Sequence, residues 1–438
     1  MQAPNVAFSP RVAKTLVLTA LFFLCTLLLQ AQNATYPPKK PSPPKLEPVI
    51  VLLPEAVIQA QWPSTLGLVN GPPAIELLNP GQCIRIGIYS TGDKRDDFLK
   101  NTRFSFTVRF AGRSDEYPIA PPSDFKRIKP EGGDFVAGAL AAAGLKVPEE
   151  MRSMVSLGVS ANHWCVPPNA EDGTATVEAE IEPPSGHQTL KSSIRIESFE
   201  TGNKKTFKDT DEFGNFLQTY YRHPNPARLL PALQFVIADE SHHEQAQIST
   251  AFLSGALRVE SVAAQDFQTR IATQPPLTRA VGLLVLAAAG YDISKALNTM
   301  TTEEREKFQS IPPLQDPYDL TPTEALFQHL DMMWATFGAT GEFKPVSTIA
   351  STLAWRPDYD DFQKLTKTPN HPKTLTPALA RGVAYTAAGW SLGSFQRTDP
   401  LVADYIDYLL ASPNTPQSVK SELPGLSTNP AFKQSGGK

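Results

Sequence analysis

Hydrophobic positions in this chain change their period near residue 200. Before that point apolar side chains recur at every second residue. Ile84, Ile86 and Ile88 alternate with Arg85 and Gly87, and Phe104, Phe106, Val108 and Phe110 with Ser105, Thr107 and Arg109. Val177, Ala179 and Ile181 alternate with Glu178 and Glu180, and Ile194 and Ile196 flank Arg195. Successive side chains of a strand point to opposite faces, so each run buries one face and wets the other, as antiparallel sheets do. Turn residues separate the runs at Asn70-Gly71-Pro72, Asn79-Pro80-Gly81, Glu171-Asp172-Gly173 and Pro184-Ser185-Gly186. The pattern predicts an Ig-like antiparallel β-sandwich over residues 49–200. An insertion over 118–150 interrupts it. This begins as a proline- and charge-rich loop and continues as a small apolar run, Phe135–Leu145, expected to pack against a sheet.

A polar stretch, 201–212, is the expected linker to a second part with helical signals. Five times a capping residue precedes proline: Asn225-Pro226, Thr321-Pro322, Thr376-Pro377, Asp399-Pro400 and Thr415-Pro416. Proline suits a first helical position, where its missing N–H would be unpaired anyway, and the preceding side chain accepts from the next free amides. Ser241/Glu244, Thr301/Glu304 and Thr321/Glu324 have the spacing of capping boxes. Small residues and a glycine link successive segments at Leu286–Leu297 and Thr336–Val346, and Trp390–Pro400 is built similarly. Short links of this kind force antiparallel neighbours. Residues 213–426 are therefore predicted to form an all-α helical-hairpin domain, a bundle or a short solenoid, with 427–438 as a disordered tail. The predicted class is a segregated multidomain α+β protein.

The N-terminus adds a location. Arg11 and Lys14 precede an apolar stretch, Thr15–Leu29, followed by Leu29-Gln30-Ala31. This order predicts a signal peptide over 1–32. As a helix the apolar stretch would span ~22 Å, short of the ~30 Å hydrocarbon core, so an uncleaved membrane anchor is the second reading. Cys25 follows Leu24 rather than a small residue, which argues against lipidation. Residues 33–48 form a proline-rich linker, semi-rigid in the polyproline conformation. The chain is expected to be exported, periplasmic or extracellular.

Composition narrows the partners. Of 438 residues, 41% are hydrophobic and 19% charged, as in globular chains. Removing Arg11 and Lys14 with the signal leaves 38 basic and 44 acidic residues, a formal charge of −6. With no basic face or tail, nucleic acid is not an expected partner. Cys83 and Cys165 remain after processing, an even pair expected to form a disulfide in an oxidising compartment. The alternative uses His163, two residues before Cys165 and so on the same strand face, with Cys83 as metal ligands and His187 as an optional third. Trp164 would suit a core aromatic packed on an inter-sheet disulfide.

Several motifs imitate catalytic or metal sites. Gly389-Trp390-Ser391-Leu392-Gly393 spells the nucleophile elbow of α/β-hydrolases, but a helical pattern precedes it where a strand is needed, and His371 is the last histidine. Glu240 and His243, within Asp239–Glu244, match half of a carboxylate–histidine metal site and are weak candidates. Gln247 stands where a zinc helix needs its second histidine. Asp209 and Asp211 imitate a calcium loop whose fifth position is Phe213 and twelfth Tyr220, neither a suitable ligand. Asp358, Asp360 and Asp361 read as a solvated acidic loop. Ser123 and Lys126 have the spacing of penicillin-recognising enzymes without the accompanying motif. Glu324 and Asp331, seven residues apart, have helix-face spacing for paired glycosidase acids. Trp334, Trp355, Trp390, Phe327, Phe337, Tyr385 and Phe395 read as helix-packing aromatics, with a carbohydrate groove as the sharper alternative. No cofactor is implied. The expected function is a non-enzymatic protein that contacts a protein partner as a scaffold or adaptor at the cell envelope. The alternative is a secreted glycan- or peptidoglycan-acting enzyme or carbohydrate-binding protein. Membrane contact is expected only through the N-terminal segment.

Overall fold

A computed structural model describes residues 49–54, 75–90, 103–118, 126–127, 156–182, 188–238, 246–312, 314–323, 325–366, 376–426 and 428–432. All lie in one unit, Pro44–Lys438. The export segment, the proline-rich linker, most of the 118–150 insertion and the Glu240/His243 cluster fall outside the described residues.

The first part is two sheets. One has the order β1 (Val49–Pro54), β3 (Cys83–Ser90), β7 (Ser156–Cys165), β6 (Lys126–Arg127). The other has the order β2 (Leu77–Leu78), β9 (Gln188–Ile196), β8 (Gly173–Glu182), β4 (Arg103–Phe110), β5 (Arg113–Pro118). The alternation does what period two requires. Phe106, Val108, Ala175, Val177, Ala179, Ile194 and Ile196 of the second sheet meet Ile84 and Trp164 of the first in one core. Among the described strands pairing is antiparallel with one exception, because β2 runs parallel to β9. The expectation of a wholly antiparallel sheet is corrected there. Two residues suffice for that contact, since Leu78 fills the core while its backbone pairs with Ile196.

The cystine also departs from expectation. Cys83 and Cys165 are bonded, but they stand opposite one another on neighbouring strands of a single sheet, rather than joining two sheets. Trp164 is buried in the core, edge-on to Phe110, with its indole donating to Asp115 Oδ2 at 3.1 Å. With Trp164 pointing inward, its strand neighbours Cys165 and His163 must point outward, and both are exposed.

Helices begin at once after the last strand, so the polar 201–212 stretch is only partly a linker. They are α1 (Phe199–Asn203), α2 (Thr210–Thr219), α3 (Leu229–Ala238), α4 (Ala246–Val259), α5 (Ser261–Ile271), α6 (Pro276–Ala288) and α7 (Ser294–Asn298). Then follow α8 (Thr302–Ser310), α9 (Leu326–Thr340), α10 (Phe343–Ser351), α11 (Arg356–Thr366), α12 (Pro377–Thr398), α13 (Pro400–Ala411) and α14 (Gln417–Lys420). Thr376 accepts from Leu379 N, Asp399 accepts from Leu401 N and Val402 N, and Thr301 with Glu304 forms a reciprocal capping box. Thr321-Pro322 does not open a helix. Thr321 instead donates to Asp319, and α9 starts later, at Leu326.

The helices share two cores. One gathers α1 to α6, the other α9 to α14, and α9 contributes to both: Ala335 and Ala339 face the first, Leu330, Met333 and Phe337 the second. Helix α9 packs most extensively on α4, far away in sequence. A solenoid repeat touches only its neighbours, so this packing is that of a bundle around α9. The chain end is not a free tail through Phe432, which is buried against the second core. Among the described residues no helix is long and apolar enough to cross a membrane.

Candidate functional site

Most of the motif-bearing polar groups have structural work. Ser391 is buried in the middle of α12 and donates to Ala388 O at 3.1 Å. Gly389 and Gly393 on the same helix admit the ring of Phe432 and the carbonyl of Leu426; a Cβ at Gly393 would lie 2.6 Å from that oxygen. The G-x-S-x-G spelling is therefore a groove for the returning chain end. Asp209 caps α2 by accepting from Glu212 N at 2.8 Å, and Phe213 is core. Asp358, Asp360 and Asp361 lie on α11 rather than in a loop, and pair with Arg381, Arg356 and Lys364. Asp399, besides capping α13, accepts from Tyr221 Oη at 2.8 Å and pairs with Arg222, which locks the turn after α2 to the α12–α13 corner.

Two carboxyls stand apart from this pattern. Glu260 occupies the one-residue link between α4 and α5. The β2–β3 turn reaches it from the sheets, where Gln82 Nε2 donates to Glu260 Oε1 at 3.0 Å. The same turn is bonded throughout. Asn79 N donates to Gln82 Oε1 (2.8 Å), Asn79 Nδ2 to Glu197 O (2.7 Å), and Ala227 N to Asn79 Oδ1 (3.3 Å). Gly81 has φ +81°, and a Cβ there would meet Val262 at 2.5 Å, so glycine is required on both counts. Burial raises the Glu260 carboxyl to about 7, against the opposing bond from Gln82. Tyr220 and Tyr291 face it. Burial and then the Glu260 charge raise both phenols. Tyr291 Oη donates to Leu257 O at 3.0 Å, whereas Tyr220 Oη is buried without a partner among the described residues. No motif marks Glu260. Its only sequence signal is a lone acid between two apolar helical runs.

Spacing alone marks Asp331, and its partner Glu324 lies outside the described residues. It sits on the least buried stripe of α9, with Phe327 one turn before and Trp334 one turn after. Burial raises its carboxyl to about 7. Trp334 stacks on Phe395 with ring centroids 4.3 Å apart, and its Nε1 is buried without a partner among the described residues. Of the other aromatics, Phe337 and Tyr385 are core, Tyr385 donating to Glu422 at 2.5 Å, while Trp355 and Trp390 are half-buried.

The cysteine pair is the remaining candidate. Its two sulfurs and a ring nitrogen of His163 lie within 4.8 Å of one another. No protein-family model matches the chain, and comparison with curated proteins gives no match.

Proposed function

We propose that this chain is an exported, non-enzymatic scaffold or adaptor that offers a protein partner one rigid surface at the cell envelope. The observation that carries the reading is the buried seam from the β2–β3 turn to the helices, made by Asn79, Gln82, Glu197, Ala227 and Glu260. Buried bonds of this kind hold sheets and helices in fixed register, which a composite binding surface needs and two freely tethered domains lack. The cystine and the N-terminal hydrophobic stretch support export. The two sheets over a shared core support an immunoglobulin-like reading of the first part, modified by the parallel β2 strand and the in-sheet cystine. The test is isolation of the tagged full chain from its own cell envelope after mild crosslinking, followed by sizing. The expected result is an N-terminally processed chain in a defined complex with one enriched protein. A cytoplasmic, unprocessed monomer would sink the reading.

A second reading rests on α9. The half-buried Phe327–Asp331–Trp334 stripe sets two aromatics beside a carboxyl, and sugars stack on such rings, although one face of Trp334 is already taken by Phe395. Here the chain is a carbohydrate-binding protein. The check is binding of envelope glycans to the full chain, retained in a surface-lysine control and lost in Asp331→Asn.

A further inference from the structure

We infer that Cys83, Cys165 and His163 form a reduction-gated site for a thiophilic divalent cation of the zinc class. The three residues share one outward face of the first sheet. Cys83 and Cys165 are register partners on β3 and β7, and His163 precedes Cys165 by one strand period. The buried Trp164 between them, held by Phe110 and Asp115, fixes which way that face points. His163 and Cys165 are exposed and Cys83 half-exposed, so both reductant and metal can reach the group. The closeness of the two sulfurs is that of the cystine itself, and the informative distance is that of the His163 ring nitrogen, which lies within 4.8 Å of both, in reach of one ion at bond lengths of ~2.0–2.3 Å once the sulfurs separate.

The strand pairing does not depend on the cystine. Gly81 N donates to Val166 O and Val166 N to Gln82 O, both at 2.9 Å, and Ile84 pairs with Trp164 on the other side. The backbone that presents the sulfurs is therefore held from both flanks when the bond between them opens. The step requires a two-electron reductant of the dithiol class. The dithiol attacks one Sγ, the S–S bond breaks, and the dithiol closes to its own disulfide, leaving two cysteine thiols. Metal binding then releases the two thiol protons and gives two Sγ ligands with one imidazole nitrogen. Three protein ligands leave the fourth tetrahedral position to water. The arrangement does not depend on which partner or glycan the rest of the surface binds.

The experiment uses the full mature chain, reduced with a phosphine, with two thiols verified by titration and near-UV circular dichroism recorded. Cobalt(II) is the optical probe and zinc(II) the competitor. The expected result is one equivalent of cobalt with a thiolate charge-transfer band, displaced by zinc and absent before reduction. The band should vanish in Cys83→Ser/Cys165→Ser and in thiol-alkylated wild type. Affinity should fall at least about tenfold in His163→Ala, the scale seen even for outer-shell changes at metal sites. The inference is overturned by absence of the band after verified reduction, by a band that persists once the thiols are alkylated, by unchanged affinity in His163→Ala, or by thiols that appear only as the near-UV signal is lost.

Discussion

Glu260 and Asp331 show how little of a side chain's chemistry is written beside it. Glu260 lies 178 residues from Gln82, which donates to it, and nothing in its local sequence foretells that neighbour. Its carboxyl is raised from 4.5 to about 7, so the folded state binds its proton more tightly than the unfolded chain does. Its contribution to stability is then complete below pH ~4.5 and is lost as pH rises to about 7, with a slope of up to ~1.4 kcal/mol per pH unit. Glu260→Gln keeps an oxygen for Gln82 and removes the ionisation. Urea unfolding should show the variant more stable than wild type at pH 8 by on the order of 1–3 kcal/mol, with the difference shrinking toward pH 5. A constant difference across that range would mean the carboxyl does not titrate there. Asp331, raised from 3.8 to about 7 by burial, has the same sign over a window that opens near pH 4. Asp331→Asn should likewise stabilise the protein above pH 7. Equal stability of Asp331→Asn and wild type at pH 8 would show that its carboxyl is solvated.

At the scale of elements, local signals were legible wherever a helix or strand is decided by its own residues. The alternation in β4, β8 and β9, the Thr301/Glu304 box and the Thr376-Pro377 and Asp399-Pro400 starts all appear where the sequence places them. Thr321-Pro322 fails because its chain leads into loop contacts: His329, one turn into α9, takes Asp319 O and Gln315 Oε1 at its two ring nitrogens (2.5 and 2.9 Å) and draws the loop down. Strand β2 and the packing of the chain end escaped because short segments gain their structure from distant partners. Helix α12 allows a direct comparison. Gly389→Leu drives a side chain into the place of the Phe432 ring, and overpacking of this kind costs ~1–3 kcal/mol. Ser391→Ala removes a hydroxyl bonded only within its own helix, and should cost under about 1 kcal/mol. Thermal or chemical unfolding of the two variants separates these outcomes. A more damaging serine change would mean that the groove reading of this motif is wrong.

For the molecule as a whole, the decisive contact is the one that no periodicity can show: a sheet turn bonded into a helical bundle. Asn79 is fully buried and bridges Glu197 O on one side to Ala227 N on the other. Truncation in Asn79→Ala leaves that amide and that carbonyl in the interior without a partner, and each such group costs about 1–3 kcal/mol. The Asn79 backbone N–H that holds Gln82 Oε1 survives the truncation, so the Gln82–Glu260 bond is left to tie the turn to the helices. Because the damage lies between the two parts rather than inside either core, its effect is on coupling. In the wild-type chain the slowest amides of β8 and of α9 should exchange with one common free energy, the behaviour of a single cooperative body. In Asn79→Ala the two sets should part by at least about 2 kcal/mol, the cost of the orphaned pair, with the sheet amides losing protection first because the sheet core is smaller than either helical core. Hydrogen exchange read by mass spectrometry on peptides from Gly173–Glu182 and Leu326–Thr340 measures both sets in one experiment. Two classes of exchange already present in the wild type would mean that the seam does not join sheet to bundle, and a rigid composite surface would have no physical basis.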